Sequence, residues 1–152
     1  MAFWGRNMEN DYSTVMMRVN CLASDLDNLY HQAAQKLGIS DSVLFLLYVV
    51  CENSGRCPLA DIRTATGMTK QTLNSALRRL ENDGVVTLAQ HSGRSKIVCL
   101  TETGVEYAER TVMRLFNAES SVFKFWLPDE ISTYLKLMER YNNDFRAQIE
   151  RM

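Results

Sequence analysis

The sequence is poor in the residues that interrupt helices, with two prolines and seven glycines among 152 residues. So few turn formers exclude a many-turned β-sandwich and favour a mostly helical chain. Long apolar runs are also missing. The longest, residues 43–51, falls far short of a membrane span. The first six residues, Met1-Ala2-Phe3-Trp4-Gly5-Arg6, have no basic stretch followed by an apolar one, so a cytoplasmic protein without a membrane partner is expected. No two of Cys21, Cys51, Cys57 and Cys99 form a CxxC pair. Four free thiols are therefore expected, with Cys21 buried and inert, Cys51 and Cys99 in the core, and Cys57 at or near the surface. His31 and His91 lack the short Cys/His spacing that zinc needs. A nucleophile–base motif, a glycine-rich phosphate loop and a carboxylate pair are all lacking, so neither a metal, a cofactor nor an enzyme is expected.

What is present is apolar substance and an uneven charge. Hydrophobic residues make up 46%, enough to exclude disorder and to fill one core, so 1–152 reads as a single domain. The net charge is -1. Between residues 56 and 96, however, stand seven basic residues (Arg56, Arg63, Lys70, Arg78, Arg79, Arg94, Lys96) against three acidic ones. A basic middle in an acidic frame suits a module that binds a polyanion.

Apolar periodicity supplies the elements. Residues 7–37 hold neither proline nor glycine, and Val15, Val19, Leu22, Leu26, Leu29 and Ala33 step by three and four, which predicts a long amphipathic helix. Ser40 is the expected cap of a second helix over 41–53, apolar on nearly every side and so central. Pro58 opens a short helix that Gly67 stops, and Thr69 caps the next, over 69–83, which Gly84 ends. In that helix Leu73, Ala76, Leu77 and Leu80 share one face. Residues 85–90 and 96–101 are β-branched and apolar around a Ser92-Gly93 turn, an antiparallel hairpin. One helix is predicted over 102–123, with Val105, Ala108, Val112, Leu115 and Phe116 inward. Another starts at Pro128, striped by Ile131, Leu135, Met138, Phe145 and Ile149.

The fold class is thus mainly α with a small β-hairpin wing. Helix, tight turn, helix and hairpin is the plan of a winged helix-turn-helix. The helix opened by Thr69 carries the matching chemistry for double-stranded DNA. Gln71 and Asn74 can read base edges, Thr72 and Ser75 can bond to bases or phosphates, and Lys70, Arg78 and Arg79 bring charge to phosphates. In the hairpin Arg94 and Lys96 flank a tip small enough for a minor groove.

Three stretches make the resemblance specific: Gly67-Met68-Thr69-Lys70-Gln71-Thr72-Leu73, Leu80-Glu81-Asn82-Asp83-Gly84-Val85-Val86, and Leu100-Thr101-Glu102-Thr103-Gly104. With them, residues 59–103 resemble the DNA-binding core of the MarR family of transcriptional regulators. The resemblance implies a DNA-binding lobe over 41–101 and dimerisation helices over 7–37 and 102–152. It implies a homodimeric repressor on a pseudo-palindromic operator, released by a small anionic or phenolic effector. It further implies that Gln71, Asn74 and Ser75 face bases, that Thr72 and Arg78 face the backbone, and that Arg94 enters the minor groove. Ser92 stands where the family commonly carries an aspartate, and the wing is shorter than the family's usual one.

Val15, Val19, Leu22 and Leu26, with Ile131, Leu135, Met138, Phe145 and Ile149, form stripes too apolar for solvent, which points to self-association independently of the resemblance; Phe3 and Trp4 are candidates for the same seam. Two other readings stay open. One is a winged helix that binds proteins without specific DNA binding. The other is a thiol-based redox sensor using Cys21, for which Arg18 is the one cation at helical spacing able to lower the thiol pKa.

Overall fold

A computed structural model describes residues 12–90, 93 and 95–152. Phe3 and Trp4, the first residues of the expected 7–37 helix, and His91, Ser92 and Arg94 of the wing lie outside the described residues. The described residues form seven α-helices and three strands in order: α1 Ser13–Leu37, α2 Asp41–Glu52, β1 Arg56–Pro58, α3 Leu59–Thr66, α4 Lys70–Asn82, β2 Val86–Gln90, β3 Lys96–Leu100, α5 Glu102–Arg110, α6 Val112–Val122 and α7 Pro128–Ile149. A 3-10 turn, Phe123–Phe125, follows α6. The chain divides into two compact units, one ending at Val112 and one spanning Met113–Met152. No single described helix is long and apolar enough to cross a membrane.

The core of the first unit is built around α2. Ser40 caps it, its side chain accepting from Val43 N at 3.4 Å, and Val43, Leu44, Leu46, Leu47 and Val50 are fully enclosed. Ile62 of α3, Leu73, Leu77 and Leu80 of α4, and Val86 and Val98 of the sheet are buried too, and α3, α4, β1 and β3 all pack on α2. Each such aliphatic side chain contributes about 1.5–3 kcal/mol by leaving water.

Two elements differ from the sequence expectation. The hairpin is part of a three-stranded antiparallel sheet, ordered β1-β3-β2, because Arg56, Cys57 and Pro58 pair with Cys99, Val98 and Ile97. Pro58 therefore ends a strand and caps α3 rather than sitting inside it. The single helix expected over 102–123 breaks at Thr111, whose backbone (φ -122°, ψ -95°) leaves the helical region. The Thr111 hydroxyl donates to Tyr107 O at 2.7 Å, taking up a carbonyl of the preceding turn. Ala108 and Val112 are buried as expected, whereas Val105 faces outward, 52% exposed.

In the second unit Pro128 occupies the first turn of α7, and Glu130 reaches back to accept from Leu127 N at 2.8 Å. Phe123, Trp126 and Tyr134 pack edge to face and tilted, with centroids 5.3 to 6.5 Å apart.

Candidate nucleic-acid interface

The turn between α3 and α4 is three residues long, Gly67-Met68-Thr69. Gly67 takes a left-handed conformation, φ 64°, to stop α3, and its N–H bonds back to Arg63 O at 3.0 Å. Thr69 then turns extended, ψ 153°, and its hydroxyl accepts from Thr72 N at 3.1 Å. That cap satisfies one of the free donors of the first turn and sets where the helix begins. The cap oxygen also lies 2.8 Å from the Thr72 hydroxyl.

Beyond the cap the helix has two faces. Leu73, Ala76, Leu77 and Leu80 are buried, fixing the rotation of the helix about its axis. Lys70, Gln71, Thr72, Ser75, Arg78 and Arg79 are exposed, and Asn74 is half-buried. At 100° per residue Gln71, Asn74, Ser75 and Arg78 fall in one stripe, with Thr72 and Arg79 along one edge and Lys70 along the other. The stripe spans about 10 Å of axis. Lys70, Arg78, Arg79 and Lys96 form no ion pair among the described residues, so their charge is available to an outside anion.

The wing pairs Val86 through Gln90 with Leu100 through Lys96. Gln90 donates from its side-chain amide to Gly93 O. Lys96 is exposed at the start of β3, where it pairs with Gln90.

A cleft of about 550 Å³ opens beside the first turn of α4, lined by His31 and Gln35 of α1, Ile39 through Ser42 and Phe45 of α2, and Met68 and Thr72. Its polar wall is organised: His31 bonds Asp41, and Gln35 donates to His31 Nε2 at 2.9 Å. Nothing in the spacing of these residues signals this cluster, because it forms only where the end of α1 meets the start of α2.

The thiols are arranged differently from expectation. Cys57 is buried, because strand β1 carries it under the sheet, while Cys21 is exposed on α1. Cys51 and Cys99 are half-buried. Burial, with Glu109 adding to it, pushes the Cys51 thiol up to about 11, and burial followed by Asp61 pushes the Cys57 thiol up. Among the described residues no group of three or more His, Cys, Asp or Glu side chains could hold a metal ion.

The expected dimerisation residues present apolar surface. Val15 and Leu22 on α1, and Leu135, Met138, Phe145 and Ile149 on α7, are exposed, while Val19 and Ile131 are half-buried. Among the described residues of α1 only Ala34 is buried, and α7 has no buried residue.

A capped helix with one buried face and one polar, cationic face, followed by a short wing, is the arrangement shared by many winged helices. The family model that matches is that of the MarR family, over residues 37–95. That segment is similar to the MarR family. It runs from the end of α1 to the residue before β3, so α4 and its cap lie wholly within it. Solved MarR family structures share the fold across nearly the whole chain. A MarR family regulator from Neisseria meningitidis is 17% identical, with a TM-score of 0.76 over 93% of this chain and 98% of that one. A MarR family transcriptional regulator from Streptomyces coelicolor, solved in complex with DNA, is 20% identical, with a TM-score of 0.70 over 94% and 92%. BpsR of Bordetella bronchiseptica, whose DNA binding is regulated by 6-hydroxynicotinic acid, is 21% identical, with a TM-score of 0.59 over 82% and 98%. No curated protein sequence matches the chain.

Proposed function

We propose that the chain is a sequence-specific DNA-binding transcriptional regulator of the MarR family and not an enzyme. The observation that carries this reading is the polar stripe of exposed Gln71, Ser75 and Arg78 with half-buried Asn74, set opposite four buried residues and flanked by cations that form no ion pair among the described residues. An α-helix of this kind fits a major groove, where amides read base edges and cations meet phosphates. Thr69, Thr72, Lys70 and Arg79 hold the backbone, and Arg94 and Lys96 bring the wing to the neighbouring minor groove.

The working unit is a homodimer. Lobe 41–101 binds DNA, and 7–37 with 102–152 dimerise. The apolar residues exposed on α1 and α7 support this, since such stripes are seldom left to water. Two copies would then read a pseudo-palindromic operator, as a repressor released by a small effector. The cleft at Thr72 supports an effector, because a molecule seated there touches the first turn of α4. So does the regulation of the Bordetella bronchiseptica relative by 6-hydroxynicotinic acid.

The test is recovery of genomic fragments bound by the purified full chain. The expected result is a small set of fragments sharing an inverted repeat, with affinity that falls steeply as salt rises. Retention of no fragment above background at low salt would instead favour a winged helix that binds proteins.

A further inference from the structure

The contact between the end of α4 and the start of α5 is unusually close, and it is made by Thr101 and Gly104. The chain leaves α4 through Gly84 and Val85, whose N–H groups bond back to Glu81 O and Leu80 O at 3.0 and 2.8 Å. Their carbonyls point away from the helix and need donors from elsewhere. Thr101 supplies them. Its backbone N–H donates to Val85 O at 3.1 Å, and its hydroxyl oxygen lies 2.5 Å from Gly84 O and 3.2 Å from Val85 O, the nearer being the principal acceptor of its one hydrogen. The same hydroxyl oxygen accepts from Gly104 N at 2.9 Å, capping α5. One side chain thus ends one helix connection and begins another.

Gly104 makes the approach possible. A Cβ on it would stand 2.0 Å from Val85 O and 3.0 Å from Val85 C, and both are backbone atoms that no rotamer change can move. One turn further along α5, the Tyr107 phenol is pushed up by burial, with Arg79 pulling it back, Asp83 adding to the rise and Arg110 lowering it. Arg79 and Asp83 belong to the last turn of α4 and its C-terminus, so the end of α4 lies within electrostatic reach of Tyr107.

The buried face of α4 sets its rotation. We propose that Thr101 and Gly104 are positioning residues that fix the angle at which α4 presents Gln71 and Asn74, making the aim of α4 follow the placement of α5. The proposal rests on α4 being the DNA-reading helix. It goes beyond that reading in assigning control of its aim to two residues outside the DNA-binding face. Any event that displaces α5 would reach base recognition through this joint.

The test uses the full chain, its recovered operator and a random duplex of equal length. Thr101→Val should lower operator affinity about tenfold and leave random-duplex affinity within about twofold, since phosphate contacts tolerate a tilt that base contacts do not. Thr101→Ser keeps the hydroxyl and should bind like the parent. Gly104→Ala should reproduce the Thr101→Val pattern. A joint that only stabilised the fold would lower the melting temperature without changing the operator-to-random ratio of the folded protein, and that outcome overturns the proposal. If neither Thr101→Val nor Gly104→Ala folds, the parent decides: operator binding should shift the Gly104 and Val105 amide resonances, and unmoved resonances would overturn it. Failure of the parent to bind any DNA fragment would count against the functional reading instead.

Discussion

His31 donates from Nδ1 to both carboxylate oxygens of Asp41, at 3.0 and 2.9 Å, tying the last turns of α1 to the first turn of α2. The carboxylate only accepts, so Nδ1 carries the proton. Both side chains are half in water, 51% and 49% exposed. The pair therefore shapes the polar wall of the cleft more than it stabilises the fold. His31→Ala should cost less than about 1 kcal/mol in a urea titration, because exposed pairs contribute little. A loss of several kcal/mol would show that this corner holds the fold.

The cap of α4 is a separate matter. Thr69→Ala removes the acceptor for Thr72 N and should cost about 1 kcal/mol, while Thr69→Ser should be nearly silent. Thermal melts of the two variants compare them directly. Equal melting temperatures for Thr69→Ala and the parent would mean that packing of Leu73 and Leu77 alone starts the helix.

The thiols predict an order of reactivity. Cys21 is exposed, whereas Cys57 is buried and Cys51 is held in its neutral form up to about 11. A thiol reagent near pH 8 should label Cys21 first, with Cys51 and Cys57 following only as the protein opens. The raised Cys51 value also makes stability depend on pH. The folded state holds that proton more tightly than the unfolded state does. The resulting stabilisation is complete below pH 9.0 and is lost as pH rises towards 11. Cys51→Ala should flatten that part of the alkaline stability curve.

The misplaced thiol shows where sequence reading stops. Cys57 stands in a three-residue strand containing a proline, too short to show any period, and the strand exists only because β3 lies beside it. The helix break at Thr111 has neither proline nor glycine to announce it; a buried hydroxyl bonded one turn back makes it. By contrast, the caps Ser40 and Thr69, the stop at Gly67 and the restart at Pro128 were legible, because each depends on local backbone chemistry. The polar stripe of α4 was legible for a similar reason, since its period is opposed by three leucines and one alanine. The His31–Asp41 corner and the Thr101–Val85 joint were not, because each unites residues ten or more positions apart.

Self-association can be tested from either unit. Leu22→Glu on α1 and Leu135→Glu on α7 replace exposed apolar side chains and should leave the helical content unchanged. If these faces meet a second copy, each charge is buried without a partner at about 3 kcal/mol, on the order of a hundredfold in the dimer dissociation constant. Sedimentation equilibrium reads this out. A parent protein that sediments as a folded monomer at micromolar concentration would remove the dimer from the account.

The central claim is that α4 reads bases near its N-terminal end and holds phosphates further on. Asn74 and Arg78 lie one turn apart on the same stripe, so a paired comparison separates the two roles. The measurement is the affinity of Asn74→Ala and Arg78→Ala for the recovered operator and for a random duplex, each across a salt series. Asn74→Ala should lose about 1–3 kcal/mol on the operator and almost nothing on random DNA, while Arg78→Ala should weaken both and reduce the salt slope by about one. Equal proportional losses on both duplexes for both variants, or binding indistinguishable from the parent, would contradict the placement of α4 in the groove.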